Sequence, residues 1–338
     1  MKRYLITGIT GFAGPHLARL LQEQGHEVVG LVRGSNGNQT NMLDLLLPEE
    51  LDKIAFVFGD LVSAESMDKA IKAAGHLDGV FHLAAQSHPP TSFEQPGWTF
   101  RVNALGTVNL VNTVVKAGLH KAPGFFFMNC STSEVYGVVD ADWGLIHEDF
   151  PLAPMNPYGV SKAAADLYVR ERAKSLQANF FCTRAFSHTG PRRGHMFSIA
   201  SDARQIAAIK LGMQDPVIRV GNLSSRRVVM DVRDTVRAYY MLAMADQSEV
   251  AGEAFNVGGL ADRDLYSMGE LLNKMLKIGD VEAATVVDPK LYRPIDIPLQ
   301  VCDTDKMVAI TGFQPEVSMD VTLRDLLIWW AAKLTEAV

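Results

Sequence analysis

Between residues 4 and 129, short apolar runs alternate with helical patterns, and this alternation narrows the folds open to the chain more than any other feature. The runs fall at residues 4–7, 28–33, 54–60, 79–83 and 125–129, and helices are expected near 16–24, 64–73, 100–117 and 158–176. Strands apolar on both faces must be covered on both faces, and the intervening helices supply the cover. The expected class is therefore α/β, a doubly wound parallel sheet. After about residue 186 the rhythm loosens into short strands at 217–220, 254–257 and 284–287, separated by helices and proline-containing loops. Residues 1–186 are read as the nucleotide-binding domain, carrying the catalytic residues. Residues 187–338 are read mainly as a smaller α/β substrate lobe, with some elements returning to the first domain.

A hydrophobic fraction of 48% in 338 residues fits a globular enzyme. A net charge of −6 argues against nucleic-acid binding, which needs an excess of Lys and Arg. Cys130, Cys182 and Cys302 are widely spaced, form neither a metal pattern nor a disulfide framework, and read as small core residues in a reducing cytoplasm. The apolar stretch at 326–334 is short of the ~20 residues a membrane span needs, and reads as a closing helix with Trp329 and Trp330 packed inward. Neither a signal peptide, a membrane span nor a metal site is expected.

The first strand runs into Gly8-Ile9-Thr10-Gly11-Phe12-Ala13-Gly14. Gly8 permits a tight turn, Gly11 lets backbone approach a pyrophosphate, and Gly14 lets the next helix pack close, its N-terminus favouring the anion. In this context the loop indicates a Rossmann dinucleotide site. An acid after the second strand would hold the ribose hydroxyls of NAD, but Arg33-Gly34-Ser35 stands there instead. A cation and a small hydroxyl suit a 2′-phosphate, so NADP is expected over NAD. Asp60, ending the third run, could accept from the adenine amino group.

Tyr158-Gly159-Val160-Ser161-Lys162 places a phenol and an ammonium on one helical face. The lysine charge is expected to favour the phenolate, making Tyr158 a base. The fifth run leads into Ser131-Thr132-Ser133-Glu134, which offers two hydroxyls and a carboxylate beyond the carboxyl end of a strand, where open sheets bind ligands. Arg192-Arg193, Arg227 and Arg293 are cations suited to phosphate.

The motifs ITGITGFAG, HLAAQSH, STSEVYG, NPYGVSK, GPRRG and GNLSSRR resemble the extended short-chain dehydrogenase/reductase superfamily of sugar epimerases and dehydratases, over essentially the whole length. Within it the chain is most similar to GDP-mannose 4,6-dehydratases and related enzymes of GDP-sugars, GDP-manno-heptose included. The resemblance implies that Thr132 and Tyr158 hold the sugar O4, that Glu134 removes the C5 proton, and that Ser133 assists the departing C6 hydroxyl. It adds Thr10, Phe12, Ala13, Leu61, Leu83, Ala84, Ala85 and His188 to the cofactor side. To the substrate side it adds Gln86, Ser87 and Ser92, and it gathers Arg192, Arg193, Arg227 and Arg293 around a diphosphate. Hydride taken from C4 would return at C6, so that a GDP-manno-sugar becomes its 4-keto-6-deoxy product. The alternative is an NADPH-dependent reductase of a GDP-4-keto-6-deoxy sugar, which the DVRD (231–234) and RPIDIP (293–298) segments resemble equally. A homodimer through the helices near 100–117 and 158–176 is implied, and the family's tetramer is also open. Phe12-Ala13, Gly34, Ser187, Ser201 and VVMD (228–231) depart from the mannose pattern and leave hexose against heptose open.

Overall fold

The apolar runs pair side by side as parallel strands. The computed structural model describes residues 1–34, 39–139, 142, 144–292 and 297–336. In chain order the strands are β1 (Arg3–Thr7), β2 (Glu27–Val32), β3 (Ile54–Phe58), β4 (Gly79–His82), β5 (Phe126–Thr132) and β6 (Phe180–Ala185). They continue with β7 (Ser187–Thr189), β8 (Val217–Val220), β9 (Arg226–Asp231), β10 (Ala254–Val257), β11 (Leu265–Ser267), β12 (Ala284–Val287) and β13 (Leu299–Gln300). The main sheet runs β10-β6-β5-β4-β1-β2-β3, all parallel. Its order reverses between β1 and β4, whose last residues Thr7 and His82 stand opposite each other. A crevice opens at the carboxyl ends of strands where such a reversal occurs. Rows of buried phenylalanines, among them Phe81, Phe126, Phe127, Phe180 and Phe181, fill both faces. Each fully buried side chain of this size contributes about 1.5–3 kcal/mol.

Several local readings change, and β2, β3 and β4 end at Val32, Phe58 and His82, one or two residues short of the runs read from the sequence. β5 continues to Thr132 rather than stopping at 129, because Ser131 and Thr132 pair with Arg184 and Ala185 of β6. The helix expected over 100–117 is instead Pro96–Phe100, a π turn at Arg101–Leu105, and Gly106–Lys116. The extra residue in the π turn rotates Asn103 into the interior. The strand at 254–257 joins the main sheet beside β6, in keeping with its burial at every position.

The second lobe groups β7, β9, β11 and β13 around β9, and pairs β8 with β12. Helices Ser198–Lys210, Met268–Gly279 and Met319–Glu336 share one core through Ile206, Leu272, Met275, Leu326 and Trp330. Trp329 is half-buried, edge-on to Trp330 at 4.8 Å. The helix Pro157–Leu176 is fastened to the sheet by Asp166, which takes two hydrogen bonds of 3.1 Å from the buried Arg184 guanidinium. Among the described residues no helix is long and apolar enough to cross a membrane.

Candidate active site

A cleft of about 1000 Å³ runs from the glycine loop across the ends of β4, β5 and β6 into the second lobe. Gly8 lies at φ +72°, and a Cβ there would sit 2.8 Å from the Ala84 amide nitrogen. A Cβ on Gly14 would fall 2.5 Å from the backbone of Gly8 and Ile9. Only glycine permits this cradle. The helix Gly14–Glu23 starts without a side-chain cap, leaving its N-terminal end to face an anion. Thr10, Gly11, Phe12, Ala13, Asp60, Leu61, Leu83, Ala84, Ala85 and His188 line the same cleft, as does the exposed Arg33 at the end of β2. Ser35 and Arg293 lie outside the described residues. The loop and the cation beyond β2 fit a dinucleotide with a 2′-phosphate.

Thr132, at the end of β5, and Ser133 and Glu134, in the turn after it, meet Tyr158 and Lys162 at the cleft floor. The Thr132 side chain lies near enough to the Tyr158 phenol to oppose its rise. Ser133 Oγ donates to Gln300 Oε1 at 3.1 Å, and Gln300 Nε2 donates to the Ser133 carbonyl at 3.3 Å, tying the turn to β13 of the second lobe. Asn156 Nδ2 donates to Glu134 Oε2 at 2.8 Å. Burial raises the Tyr158 phenol well above its usual range, with the nearby Cys130 thiol adding to the rise and Thr132 opposing it. Burial likewise lowers Lys162. Both groups are nearly fully enclosed, and loss of water is the largest influence on each.

A buried chain of hydrogen bonds connects the sheet to this centre. Thr107 Oγ1 donates to the Asn103 carbonyl at 2.6 Å, so it must accept from His82 Nε2, 2.9 Å away. His82 Nδ1 then accepts from Thr7 Oγ1 at 2.7 Å, and a neutral imidazole satisfies both bonds. Burial, assisted by the Lys162 charge, pushes His82 down to about 3. Asn103 bonds the Gln86 backbone at both N and O, and reaches Ser161 Oγ at 2.9 Å. Ser161 donates to the Tyr158 carbonyl at 2.7 Å. Asn103, His82, Asn156 and Gln300 are contributors that sequence reading passed over in these roles. Only Asn156, next to Pro157 at a helix start, carried a local signal, that of a cap.

The substrate residues divide. Gln86, Ser87, Arg193 and Arg227 line the cleft. Arg193 stacks over Phe197 at 3.5 Å and Phe12 at 4.8 Å, and Phe12 stacks on His188 with centroids 5.7 Å apart. Burial and the Arg193 charge bring His188 down to about 4. Arg192 turns the other way. Its backbone sits at φ 75°, and its buried guanidinium pairs with Asp44 and donates to the carbonyls of Thr10, Gly11 and Asn41. The geometry makes it a brace for the glycine loop, not a substrate contact. Ser92 is also corrected. It is fully buried, donates to the Pro89 carbonyl at 2.6 Å and accepts from the Tyr158 amide at 3.1 Å, so it anchors the catalytic helix. Cys182 and Cys302 are buried core residues, but Cys130 lines the cleft 3.3 Å from the Tyr239 hydroxyl.

This arrangement can take a proton through the phenolate of a buried tyrosine and another through a carboxylate on the same small molecule. Comparison with known proteins bears on which molecule. The family described as GDP-mannose 4,6 dehydratase matches residues 5–326. The chain belongs to that family. It is 30% identical to a GDP-mannose 4,6-dehydratase of Yersinia enterocolitica, over 95% of this chain and 91% of that one. It is also 32% identical to a GDP-6-deoxy-D-mannose reductase of Pseudomonas aeruginosa, over 99% of both. The structure of RMD from Pseudomonas aeruginosa complexed with NADPH superposes with a TM-score of 0.81 at 28% identity, covering 98% of this chain and all of that one. The chain is thus similar to relatives of both expected activities, on the expected doubly wound fold.

Proposed function

We propose that the chain is an NADP-dependent 4,6-dehydratase of a GDP-manno-sugar, hexose or heptose. The carrying observation is Glu134, a carboxylate held by Asn156 beside Thr132 and Tyr158 on the cleft floor. Reduction at C4 alone needs no second base, whereas loss of water across C5 and C6 does.

When bound, NADP supplies a hydride acceptor for C4 and a donor for C6. Tyr158 Oη, as the phenolate and with Thr132 beside it, takes the O4 proton. The 4-ketone so formed acidifies C5–H, and Glu134 removes that proton. Ser133, held by Gln300, hydrogen-bonds the C6 hydroxyl, which leaves as water with the proton carried by Glu134. C5 then regains a proton from Tyr158 as C6 is reduced, which restores the phenolate. Each positioned proton transfer contributes about 10²- to 10⁴-fold. Arg193 and Arg227, both on the cleft wall, would face the diphosphate, and Arg293 would join them. Arg33 supports NADP over NAD, and Ser35 would share its contact.

A homodimer is part of this reading. Phe100, Leu105, Val160 and Leu167 leave apolar side chains exposed on and beside helices Gly106–Lys116 and Pro157–Leu176, an apolar surface suited to a partner.

The deciding experiment incubates the protein with GDP-mannose deuterated at C4 and a catalytic amount of NADP. The expected product is the 4-keto-6-deoxy sugar carrying the label at C6, without net cofactor consumption. Failure of dehydration, together with stoichiometric NADPH oxidation when a GDP-4-keto-6-deoxy sugar is offered, would assign the chain to the reductase activity instead.

A further inference from the structure

The cleft continues past the reacting groups to a far end walled by the second lobe. Ile199, Ser201 and Asp202 of helix Ser198–Lys210, Val220 of β8, Leu223 and Met268 enclose it. Most of these are apolar. Asp202 is 5% exposed, and among the described residues its carboxylate has no hydrogen-bond or ion-pair partner. Burial by itself pushes it up to about 7. Its oxygens reach the cleft, and a carboxylate so deeply placed with no donor from the chain is costly to hold charged. A ligand that brings donors to that wall removes the cost.

We propose that Asp202 reads the nucleotide base, its two oxygens accepting from N1–H and the 2-amino group of guanine. The proposal rests on the GDP-sugar reading above and names the residue that selects the nucleotide within it. With the sugar at Tyr158 and Glu134 and the diphosphate against Arg193 and Arg227, the unclaimed part of the cleft belongs to the base. An ionised carboxylate only accepts hydrogen bonds, through two oxygens side by side. Guanine presents two donors side by side on one edge. Adenine sets its amino donor beside a ring acceptor, cytosine does the same, and uracil and thymine flank one N–H with two carbonyls. Guanine alone among them matches the carboxylate at both oxygens, while Val220, Leu223 and Met268 offer apolar surface to the flat ring.

The test is a calorimetric titration of the wild type and Asp202→Asn with GDP, IDP, XDP and dTDP. IDP lacks the 2-amino group, and XDP carries a carbonyl in its place. The wild type should bind GDP about 10- to 100-fold tighter than IDP, the worth of one hydrogen bond to a charged group. Asp202→Asn should weaken GDP and strengthen XDP, since the new amide donates to the 2-carbonyl while its oxygen still accepts from N1–H. A residue of merely structural importance would weaken all four alike. Equal affinity of the wild type for GDP and IDP, or an unchanged GDP-to-XDP ratio in the variant, would overturn the assignment of Asp202 and leave the GDP-sugar reading intact. Tighter binding of dTDP than GDP by the wild type would overturn both. The GDP–IDP comparison needs no variant, so the proposal stays falsifiable if Asp202→Asn does not fold.

Discussion

Asn156 donates to the Glu134 carboxylate at 2.8 Å through its amide nitrogen, and accepts from the Gly159 amide at 2.7 Å through its oxygen. One side chain therefore aims the carboxylate and also caps the helix that carries Tyr158 and Lys162. The two tasks can be separated. Asn156→Asp keeps a capping oxygen but removes the donor and sets a second negative charge beside Glu134. Its melting temperature should change little, while kcat falls about 10²-fold. Asn156→Ala should lose the same activity and, in addition, about 1 kcal/mol of stability. Thermal unfolding read beside initial rates checks this. Activity lost only in proportion to stability would leave Asn156 a cap and nothing more.

Glu134 and Tyr158 should fail at different steps. Glu134→Gln is expected to bind GDP normally and still oxidise C4, seen as transient NADPH absorbance, while dehydration drops about 10²- to 10⁴-fold. Incorporation of solvent deuterium at C5 should drop with it. Tyr158→Phe should abolish the transient itself. Because burial raises the Tyr158 phenol, the rate of C4 oxidation should climb with pH as more phenolate forms. A flat profile on the alkaline side would argue against Tyr158 as the base.

Arg192→Lys probes the brace under the glycine loop. Lysine keeps a charge for Asp44 but cannot span the carbonyls of Thr10, Gly11 and Asn41. NADP affinity should weaken about 10-fold, as expected when hydrogen bonds to a charged group are lost, with GDP affinity unchanged. Paired titrations distinguish the two ligands. A selective loss of GDP affinity would return Arg192 to the substrate site.

Buried neutral histidines set an acid limit on the fold. His82 is pushed down to about 3, the buried His16 to about 4, and the half-buried, cleft-lining His188 also to about 4, all by loss of water first. In the unfolded chain each titrates near 6.5, so between these values the unfolded state binds more protons. Stability should be fully present above pH 6.5 and fall as pH drops toward 4. For one such histidine, the loss approaches about 1.4 kcal/mol for every pH unit crossed within that window. Urea denaturation at several pH values should show the slope, and His82→Gln should reduce it by up to about one proton. An unchanged slope in that variant would mean that His82 is not the group that titrates.

The glycine loop and the Tyr158–Lys162 pair could be read from the sequence because each depends on local geometry. A strand, a turn with Gly8, Gly11 and Gly14, and a helix follow one another directly. Residues four apart on a helix share a face whatever else surrounds them. The buried strands were legible for a similar reason, since a run apolar at every position has few other places to go. Most of their ends moved by one or two residues, and β5 was extended to Thr132 where Ser131 pairs with Arg184.

Side-chain direction at the site was decided elsewhere. Arg192 and Arg193 are adjacent and chemically identical, yet the backbone turn at Arg192 sends one guanidinium under the loop and leaves the other on the cleft wall. Asn103 reaches Gln86 and Ser161 only because a π turn rotates it inward. Gln300 reaches Ser133 only because β13 is laid beside β9, next to the end of β5, from the far end of the chain. Whether the Tyr158–Lys162 pair was ruled by its own charge or by loss of water also depended on what enclosed it. The sequence determined the layered sheet and the juxtaposition of Tyr158 with Lys162, because spacing along one element suffices for both. Tertiary structure decided which polar side chains face the cleft and which fasten its walls, because that choice depends on how separate elements meet, 167 residues apart in the case of Ser133 and Gln300.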